Sequence, residues 1–150
     1  MYEFLKYKVK DAMTPSPLTT TPDTRLRELE KLFETHDFNG IPVLDDQQRL
    51  AGIVTKFDLL RSFILTPDAP IPHYEEIMEQ PAWSVMTTDP VTVAPELPLT
   101  RLLELLVELQ TKSLPVVQDG RLVGIISREN VLKALRRATA SRPTPQEARS

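Results

Sequence analysis

The chain has 150 residues, 41% of them hydrophobic, a formal net charge of −3 and no cysteine. A chain of this length forms one compact domain or two small units that share a core. The acidic balance argues against a nucleic-acid-binding surface, which needs a basic patch, and the lack of cysteine excludes disulfides and zinc–thiolate sites.

The first half of the chain predicts five elements in the order β-α-β-β-α, preceded by an N-terminal helix. An extended piece at residues 18–20 lies between prolines that disfavour helix, and residues 26–33 carry the apolar spacing of an amphipathic helix. A strand at residues 41–44, a turn and a strand at residues 50–54 follow. The closing helix begins near Thr55.

The second half predicts the same order after a proline-rich linker at residues 66–84, which includes a short helix at residues 73–79. A wide leucine-rich face at residues 99–109 predicts a helix that is buried on more than one side. Asp119-Gly120 predicts a hairpin turn between the two strands. Residues 139–150 are rich in Ser, Thr, Pro and Arg without periodicity, so we expect a disordered tail.

The N-terminus carries an early acid and no long apolar core, so we expect no signal peptide. No apolar run approaches the ~20 residues that a membrane-spanning helix needs, and we expect no membrane partner. A chain without disulfides fits a reducing compartment, so the expected location is cytoplasmic.

The two halves align with each other as an internal duplication. The offset is 73 residues before the turn at residues 45–48 and 72 residues after it. The matched types are mostly prolines, glycines and apolar residues, which set turns and cores, so the halves are expected to share a backbone path. Examples are Met13-Thr14 with Met86-Thr87, Pro42-Val43 with Pro115-Val116, and Gly52-Ile53 with Gly124-Ile125.

One motif of this duplication describes a strand that turns into a helix. The first copy is Gly-Ile-Val-Thr-Lys-Phe-Asp, ending at Asp58, and the second is Gly-Ile-Ile-Ser-Arg-Glu-Asn, ending at Asn130. The copies differ in the charge of their last residue. We therefore expect the two halves to differ in function.

These motifs, in this order, resemble the CBS (cystathionine-β-synthase) domain, which usually occurs as a tandem pair called a Bateman module. The matching segments are residues 9–14, 85–87, 40–44 and 113–117 and the two glycine motifs, and the resemblance covers residues 9–135. It implies an α+β fold of two β-α-β-β-α repeats, packed sheet against sheet as a pseudo-twofold sandwich with two clefts. The expected repeats are residues 1–65, with the N-terminal helix, and residues 85–138.

The resemblance also implies a function. Many members bind AMP, ADP, ATP or S-adenosylmethionine in the clefts and regulate an attached or partner protein, without being catalysts themselves. Relatives often form homodimers through their helices. We therefore expect a stand-alone sensor protein that requires no cofactor, forms a homodimer and regulates a partner that the sequence does not name.

The first motif carries groups that an adenosine ligand needs. One carboxylate can accept both ribose hydroxyls, a role expected for Asp58, while Thr55 would contact ribose or phosphate and Lys56 lies near the helix start. The other candidate residues are Ile41, Pro42, Ile53 and residues 14–18 for the base, and Asn39 and Lys112, at positions that approach phosphate in nucleotide-binding relatives. Thr55 and Asp58 also have the spacing of a helix-capping pair, and the two roles can coexist.

The second motif departs from the family pattern. Ser127 and Asn130 provide no carboxylate, so ribose binding should be weaker, and Arg128 would add attraction for phosphate. With Leu114 and Pro115 as lining residues, this is expected to be a degenerate site, or an empty and purely structural one.

Other function classes find less support in the sequence. His36 and His73 lie far apart without ligand-like spacing, so no metal site is expected. No nucleophile–base set is visible, so no catalytic residue is assigned and an enzyme is not expected. The main alternative is a structural or partner-binding module without a small ligand.

Overall fold

The computed structural model describes residues 2–64 and 73–140. The helices are α1 (Val9–Ala12), α2 (Leu26–Thr35), α3 (Lys56–Arg61), α4 (Tyr74–Met78), α5 (Leu99–Leu109) and α6 (Arg128–Ala140), with short 3₁₀ helices at Phe4–Lys6 and Ala82–Ser84. The strands are β1 (Thr14–Pro15), β2 (Gly40–Leu44), β3 (Leu50–Thr55), β4 (Thr87–Thr88), β5 (Ser113–Gln118) and β6 (Arg121–Ser127). In these ranges no helix is both long and apolar enough to cross a bilayer.

The predicted α+β class is confirmed by two three-stranded sheets, with strand orders β2-β3-β4 and β1-β6-β5. The predicted hairpin between β5 and β6 is also confirmed, since Asp119 and Gly120 both adopt positive φ, 53° and 79°, as a two-residue primed turn requires. The extended pieces that precede α2 and α5 are shorter than predicted. Each forms a single parallel bridge, Thr20 to Val43 and Val93 to Val116.

The two-residue strands β1 and β4 were not predicted, and they connect the halves. In β4, Thr87 pairs with Ile53 and Thr88 with Gly52 of β3. In β1, Thr14 and Pro15 pair with Ile125 and Gly124 of β6. We call residues 7–15 of the first copy and residues 80–88 of the second copy the opening segments. The opening segment of each copy therefore completes the sheet of the other copy.

This exchange explains why the compact units of the chain are not contiguous in sequence. One unit contains residues 17–90 and 120–122 and is called here the Asp58 unit. The other, the Asn130 unit, contains the described residues up to 16, residues 91–119 and those from 123 to 140. The predicted limits of 1–65 and 85–138 follow the sequence duplication, whereas packing places each opening segment with the opposite copy.

The predicted linker and tail need two changes. Helix α4 and the 3₁₀ helix lie within the linker and pack into the Asp58 unit, where Met78 and Ala82 are buried. Helix α6 continues to Ala140, two residues into the predicted tail. Residues 65–72 and 141–150 lie outside the described residues.

Each unit has its own apolar core. In the Asp58 unit, the predicted amphipathic face of α2 buries Leu26, Leu29 and Phe33 against β2 and β3. In the Asn130 unit the buried residues are Phe4, Val9, Val93, Leu99, Leu102, Leu106, Leu114, Val116, Ile126, Val131, Ala134 and Ala138. The prediction that α5 is buried on several sides is wrong, because Val107 and Leu109 are 69% and 43% exposed.

The repeated glycines are explained by the exchanged segments. A Cβ atom on Gly52 would lie 2.6 Å from the carbonyl oxygen of Thr87, and one on Gly124 would lie 2.9 Å from the carbonyl oxygen of Thr14. Such distances are too short for any larger side chain. Glycine is therefore required where the opening segment of one copy crosses the strand of the other.

Candidate functional site

Backbone hydrogen bonds fix both opening segments in the same way. In the Asp58 unit, the Ala82 amide donates to the Thr24 carbonyl at 2.8 Å, and the Leu26 amide donates to Gln80 at 2.9 Å. The Asn130 unit repeats this arrangement 73 positions away: the Val9 amide donates to Leu97 at 2.8 Å, and Leu99 donates to Tyr7 at 3.0 Å. Each opening segment is thereby held against the unit that carries the opposite glycine motif.

The first motif ends in a closed capping box. The Asp58 amide donates to Oγ1 of Thr55 at 3.1 Å. Oδ2 of Asp58 accepts from the Thr55 amide at 2.8 Å and from the Thr55 hydroxyl at 3.0 Å. These bonds satisfy backbone donors at the start of α3, so the capping role of Asp58 is present in the structure.

The second carboxylate oxygen of Asp58 is also occupied. Oδ1 accepts a hydrogen bond from the guanidinium of Arg61, one turn later in α3, and a longer one, 3.4 Å, from the Thr87 hydroxyl. Asp58 is only 3% exposed, so these contacts offset the loss of hydration of its charge. The guanidinium of Arg61 itself is half exposed and lies over the Phe57 ring at 5.6 Å.

A small cavity of about 280 Å³ opens beside this carboxylate. We call it the Asp58 pocket. Its lining residues come from α3 and the following turn and from the opening segment of the second copy: Asp58, Arg61, Ser62, Gln80, Ser84 and Val85.

The second motif forms the same cap with a neutral side chain. Oδ1 of Asn130 accepts from the Ser127 amide and from the Ser127 hydroxyl, both at 2.9 Å. The Asn130 amide donates to Oγ of Ser127 at 3.2 Å. An amide oxygen thus reproduces the cap of α6 without a charge.

A larger cavity of about 730 Å³ lies beside Asn130 and is called the Asn130 pocket. Its lining residues are Tyr7, Asp11, Ala12, Met13, Thr14, Pro15, Asn130, Lys133, Ala134 and Arg137. Tyr7, Asp11 and Ala12 correspond to Gln80, Ser84 and Val85 at the offset of 73, and Asn130, Lys133 and Ala134 correspond to Asp58, Arg61 and Ser62 at the offset of 72. The two pockets are therefore duplicated copies of one site.

The structure brings only some of the predicted site residues to these pockets. Thr55 and Asp58 meet in one cap and Ser127 and Asn130 in the other. The apolar candidates lie in strands: Ile41, Pro42, Ile53, Leu114 and Pro115 are all buried. The predicted base segment, residues 14–18, contributes Thr14 and Pro15 to the Asn130 pocket.

The predicted cationic and polar positions lie elsewhere. Lys56 is exposed at the start of α3, and Asn39 is half-buried just before β2. Lys112 is exposed in the Asn130 unit, and its carbonyl accepts the Arg128 amide at 3.0 Å. Nε of Arg128 donates to the Thr111 carbonyl at 2.9 Å. Arg128 does not line the Asn130 pocket.

Sequence reasoning missed the cations that do line the pockets, namely Arg61, Lys133 and Arg137. Their helical spacing was the available signal. Arg61 and Lys133 lie three residues after the capping side chain, and Arg137 lies seven residues after it, so each shares a helix face with that side chain.

The comparisons with known proteins agree on one family. A family model described as CBS domain matches the chain twice, at residues 9–71 and 82–137. YhcV, a CBS domain-containing protein of Bacillus subtilis, is 32% identical over 120 residues, which cover 79% of this chain and 79% of that protein. The crystal structure of CBSX2 in complex with AMP has a TM-score of 0.75 at 30% identity, covering 89% of this chain and 98% of that chain.

Other curated relatives are much longer than this chain. It spans 15% of an A-adding tRNA nucleotidyltransferase of Aquifex aeolicus, with 27% identity over 89% of this chain. It spans 24% of an inosine-5'-monophosphate dehydrogenase of the same organism, with 29% identity over 84% of this chain. The similarity therefore concerns a part of each of these enzymes.

Proposed function

Because the chain belongs to the CBS domain family, we propose that it is a regulatory module that binds an adenosine-containing ligand at the duplicated site. The candidate ligands are AMP, ADP, ATP and S-adenosylmethionine. The observation that carries this proposal is the buried Asp58 carboxylate, which lines a cavity at the end of the glycine motif. The AMP complex of CBSX2, 30% identical over 89% of this chain, supports adenosine chemistry.

Ribose binding at Asp58 follows from the arrangement of its two oxygens. Oδ2 is committed to the cap of α3, whereas Oδ1 is held by the half-exposed Arg61 and by a long bond from Thr87. Vicinal ribose hydroxyls would replace the Arg61 contact at Oδ1, and the released guanidinium would be available to a phosphate. Ligand binding would thereby change the contacts of the Arg61 side chain, which lines the Asp58 pocket.

A structural or partner-binding role is the second candidate, and the closed capping box favours it. Every contact of Asp58 has a purely structural explanation, because the carboxylate caps α3 and pairs with Arg61. In this alternative the Asp58 pocket stays empty. The regulated partner and the cytoplasmic location stay predictions under both candidates.

We also propose the homodimer expected from the resemblance, through α5 and α6. These helices form an apolar groove of about 450 Å³, lined by Leu103, Leu106, Val107, Gln110, Arg128, Val131, Leu132 and Leu135. At the positions equivalent to Leu103 and Val107, the Asp58 unit carries Glu30 and Glu34. A second copy is the occupant we propose, because an apolar groove pairs with itself around a twofold axis more favourably than an acidic face does.

Isothermal titration calorimetry with adenosine, AMP, ADP, ATP and S-adenosylmethionine tests the ligand proposal. Asp58→Asn is the informative variant, because Asn130 shows that an amide keeps the cap while removing the charge. Loss of a charge-assisted bond of roughly 1.5–3 kcal/mol corresponds to a tenfold to hundredfold weaker affinity. Absence of binding at millimolar ligand would contradict the ligand proposal, and unchanged affinity in this variant would contradict the assignment of Asp58.

A further inference from the structure

The duplicated pockets differ in charge, and the capping residue, Asp58 in one and Asn130 in the other, is one source of the difference. In the Asp58 pocket, the carboxylate neutralises Arg61 within the same turn of α3. In the Asn130 pocket, the equivalent cation, Lys133, lines the cavity together with the neutral amide of Asn130. Among the described residues, no carboxylate lies within ion-pair distance of Lys133 or Arg137.

The cations of the Asn130 pocket share one helix face. Asn130, Lys133 and Arg137 occur at spacings of three and seven residues in α6, which places them in a row along the pocket wall. The pocket contains one acid, Asp11, whose Oδ2 accepts from the Lys8 amide at 2.8 Å in the cap of α1. With both cations charged, the formal charge of the lining residues is positive, whereas that of the Asp58 pocket is zero.

The Asn130 pocket is also the larger of the two. Its volume of about 730 Å³ lies within the range of roughly 300–1,000 Å³ that is typical of small-molecule sites. The Asp58 pocket, at about 280 Å³, lies just below that range. Room for an extended anionic group therefore coincides with the excess of positive charge.

From the charge, the helix face and the volume, we propose that the Asn130 pocket is an anion site that binds the phosphate chain of an adenine nucleotide through Lys133 and Arg137. The proposal rests on the adenosine-binding function proposed above and assigns a ligand class to the second pocket. In this proposal, the role of Asn130 differs from that of a ribose acceptor that has lost its charge. Its neutral side chain leaves Lys133 without a carboxylate partner in the described part of the chain, as phosphate binding requires.

The two interpretations of Asn130 predict opposite results for Asn130→Asp. A degenerate ribose site would gain affinity for ATP when the carboxylate is restored. An anion site would lose affinity, because the new carboxylate would pair with Lys133 as Asp58 pairs with Arg61. The expected result is a severalfold weaker binding of ATP, and stronger binding would overturn the proposal.

A charge-removal series on the full chain tests the cations directly. Calorimetric titrations use adenosine, AMP, ATP and inorganic tripolyphosphate, on Lys133→Ala/Arg137→Ala and on Arg136→Ala. Arg136 is an exposed cation of α6 that does not line the pocket, so its variant controls for the loss of a positive charge from α6 outside the pocket. We expect the double variant to bind ATP tenfold or more weakly with adenosine unchanged, and the control to change ATP affinity less than twofold.

Each outcome separates this proposal from the general one. Unchanged ATP affinity in the double variant, or an equal loss of affinity in the Arg136 control, overturns the anion site. The proposed function would still stand in that case if adenosine binding depends on Asp58. Tripolyphosphate binding that depends on Lys133 and Arg137, in a chain that binds no adenosine compound, would keep the anion site but overturn the adenine nucleotide as its ligand, together with the proposed function. Circular dichroism of each variant verifies that the fold is retained.

Discussion

The Arg61 guanidinium binds the carboxylate oxygen of Asp58 that the cap of α3 leaves open. Both carboxylate oxygens of a residue expected to receive a ligand thus already accept hydrogen bonds within the protein. Any ribose at this site must compete with Arg61 for Oδ1.

Arg61→Ala tests this competition. The variant removes the competing cation but keeps the cap, so we expect stronger binding of adenosine, which carries no phosphate to benefit from the guanidinium. Loss of the half-exposed ion pair should lower the free energy of unfolding by about 1–2 kcal/mol. Calorimetry and urea denaturation measure the two effects, and weaker adenosine binding would contradict the competition.

Helix capping predicts a second pair of results. Thr55→Ala removes the hydroxyl that accepts the Asp58 amide, and Ser127→Ala removes its counterpart in α6. Each change should cost about 1 kcal/mol of stability, the usual value for a lost N-terminal cap. Asp58→Asn is the matched comparison: the amide keeps the box closed but loses the ion pair with Arg61, so urea denaturation should show the loss found for Arg61→Ala without the added cost of a lost cap.

Glycine substitutions test the exchange of opening segments. Gly52→Ala and Gly124→Ala place a methyl group against Thr87 and Met13, and overpacking of this kind costs about 1–3 kcal/mol. Gly120→Ala is the control, since no heavy atom lies within 4 Å of its new Cβ. Its positive φ of 79° leaves only a strain of about 1 kcal/mol. Equal thermal stability of all three variants would contradict the close crossing.

Acid titration probes the contact between the opening segment and the second copy. Hydrogen bonds from Lys8 and Lys10, at 2.7 and 2.9 Å, lower the pKa of Glu96 from 4.5 to about 2. A lowered pKa in the folded state stabilises the protein above pH 4.5, and this contribution disappears as the pH falls towards 2. Glu96→Gln should therefore melt at a lower temperature than the native chain at pH 6, with the difference vanishing near pH 2 and shrinking in high salt.

The proposed dimer has its own test. Val107→Glu puts on α5 the charge that α2 already carries at Glu34, so the self-pairing groove becomes acidic. Light scattering after gel filtration should give a dimer for the native chain and a monomer for the variant. A control at the exposed Lys31, changed to Glu, should leave the dimer unaffected.

Much of the fold could be predicted because it depends on local patterns. The apolar spacing of α2, the Asp119-Gly120 turn and the capping pair at Thr55 are encoded within a few residues of chain. The exchanged strands β1 and β4 could not be predicted in this way, because each is two residues long and pairs with a distant strand. The pocket cations could not be predicted from residue type, because exposed Lys and Arg are common on any helix and only their spacing from the capping side chain distinguishes them.

The exchange of β1 and β4 has a consequence for synthesis. When a ribosome has made the first copy, the sheet of the Asp58 unit still lacks β4, so β3 keeps an unpaired edge until Thr88 has emerged from the exit tunnel. Strand β1, in turn, waits for Ile125 before it has a partner. Neither half can complete its sheet before part of the other half has been synthesised. A nascent chain that stalls between them would expose an unpaired, aggregation-prone strand edge to which chaperones can bind.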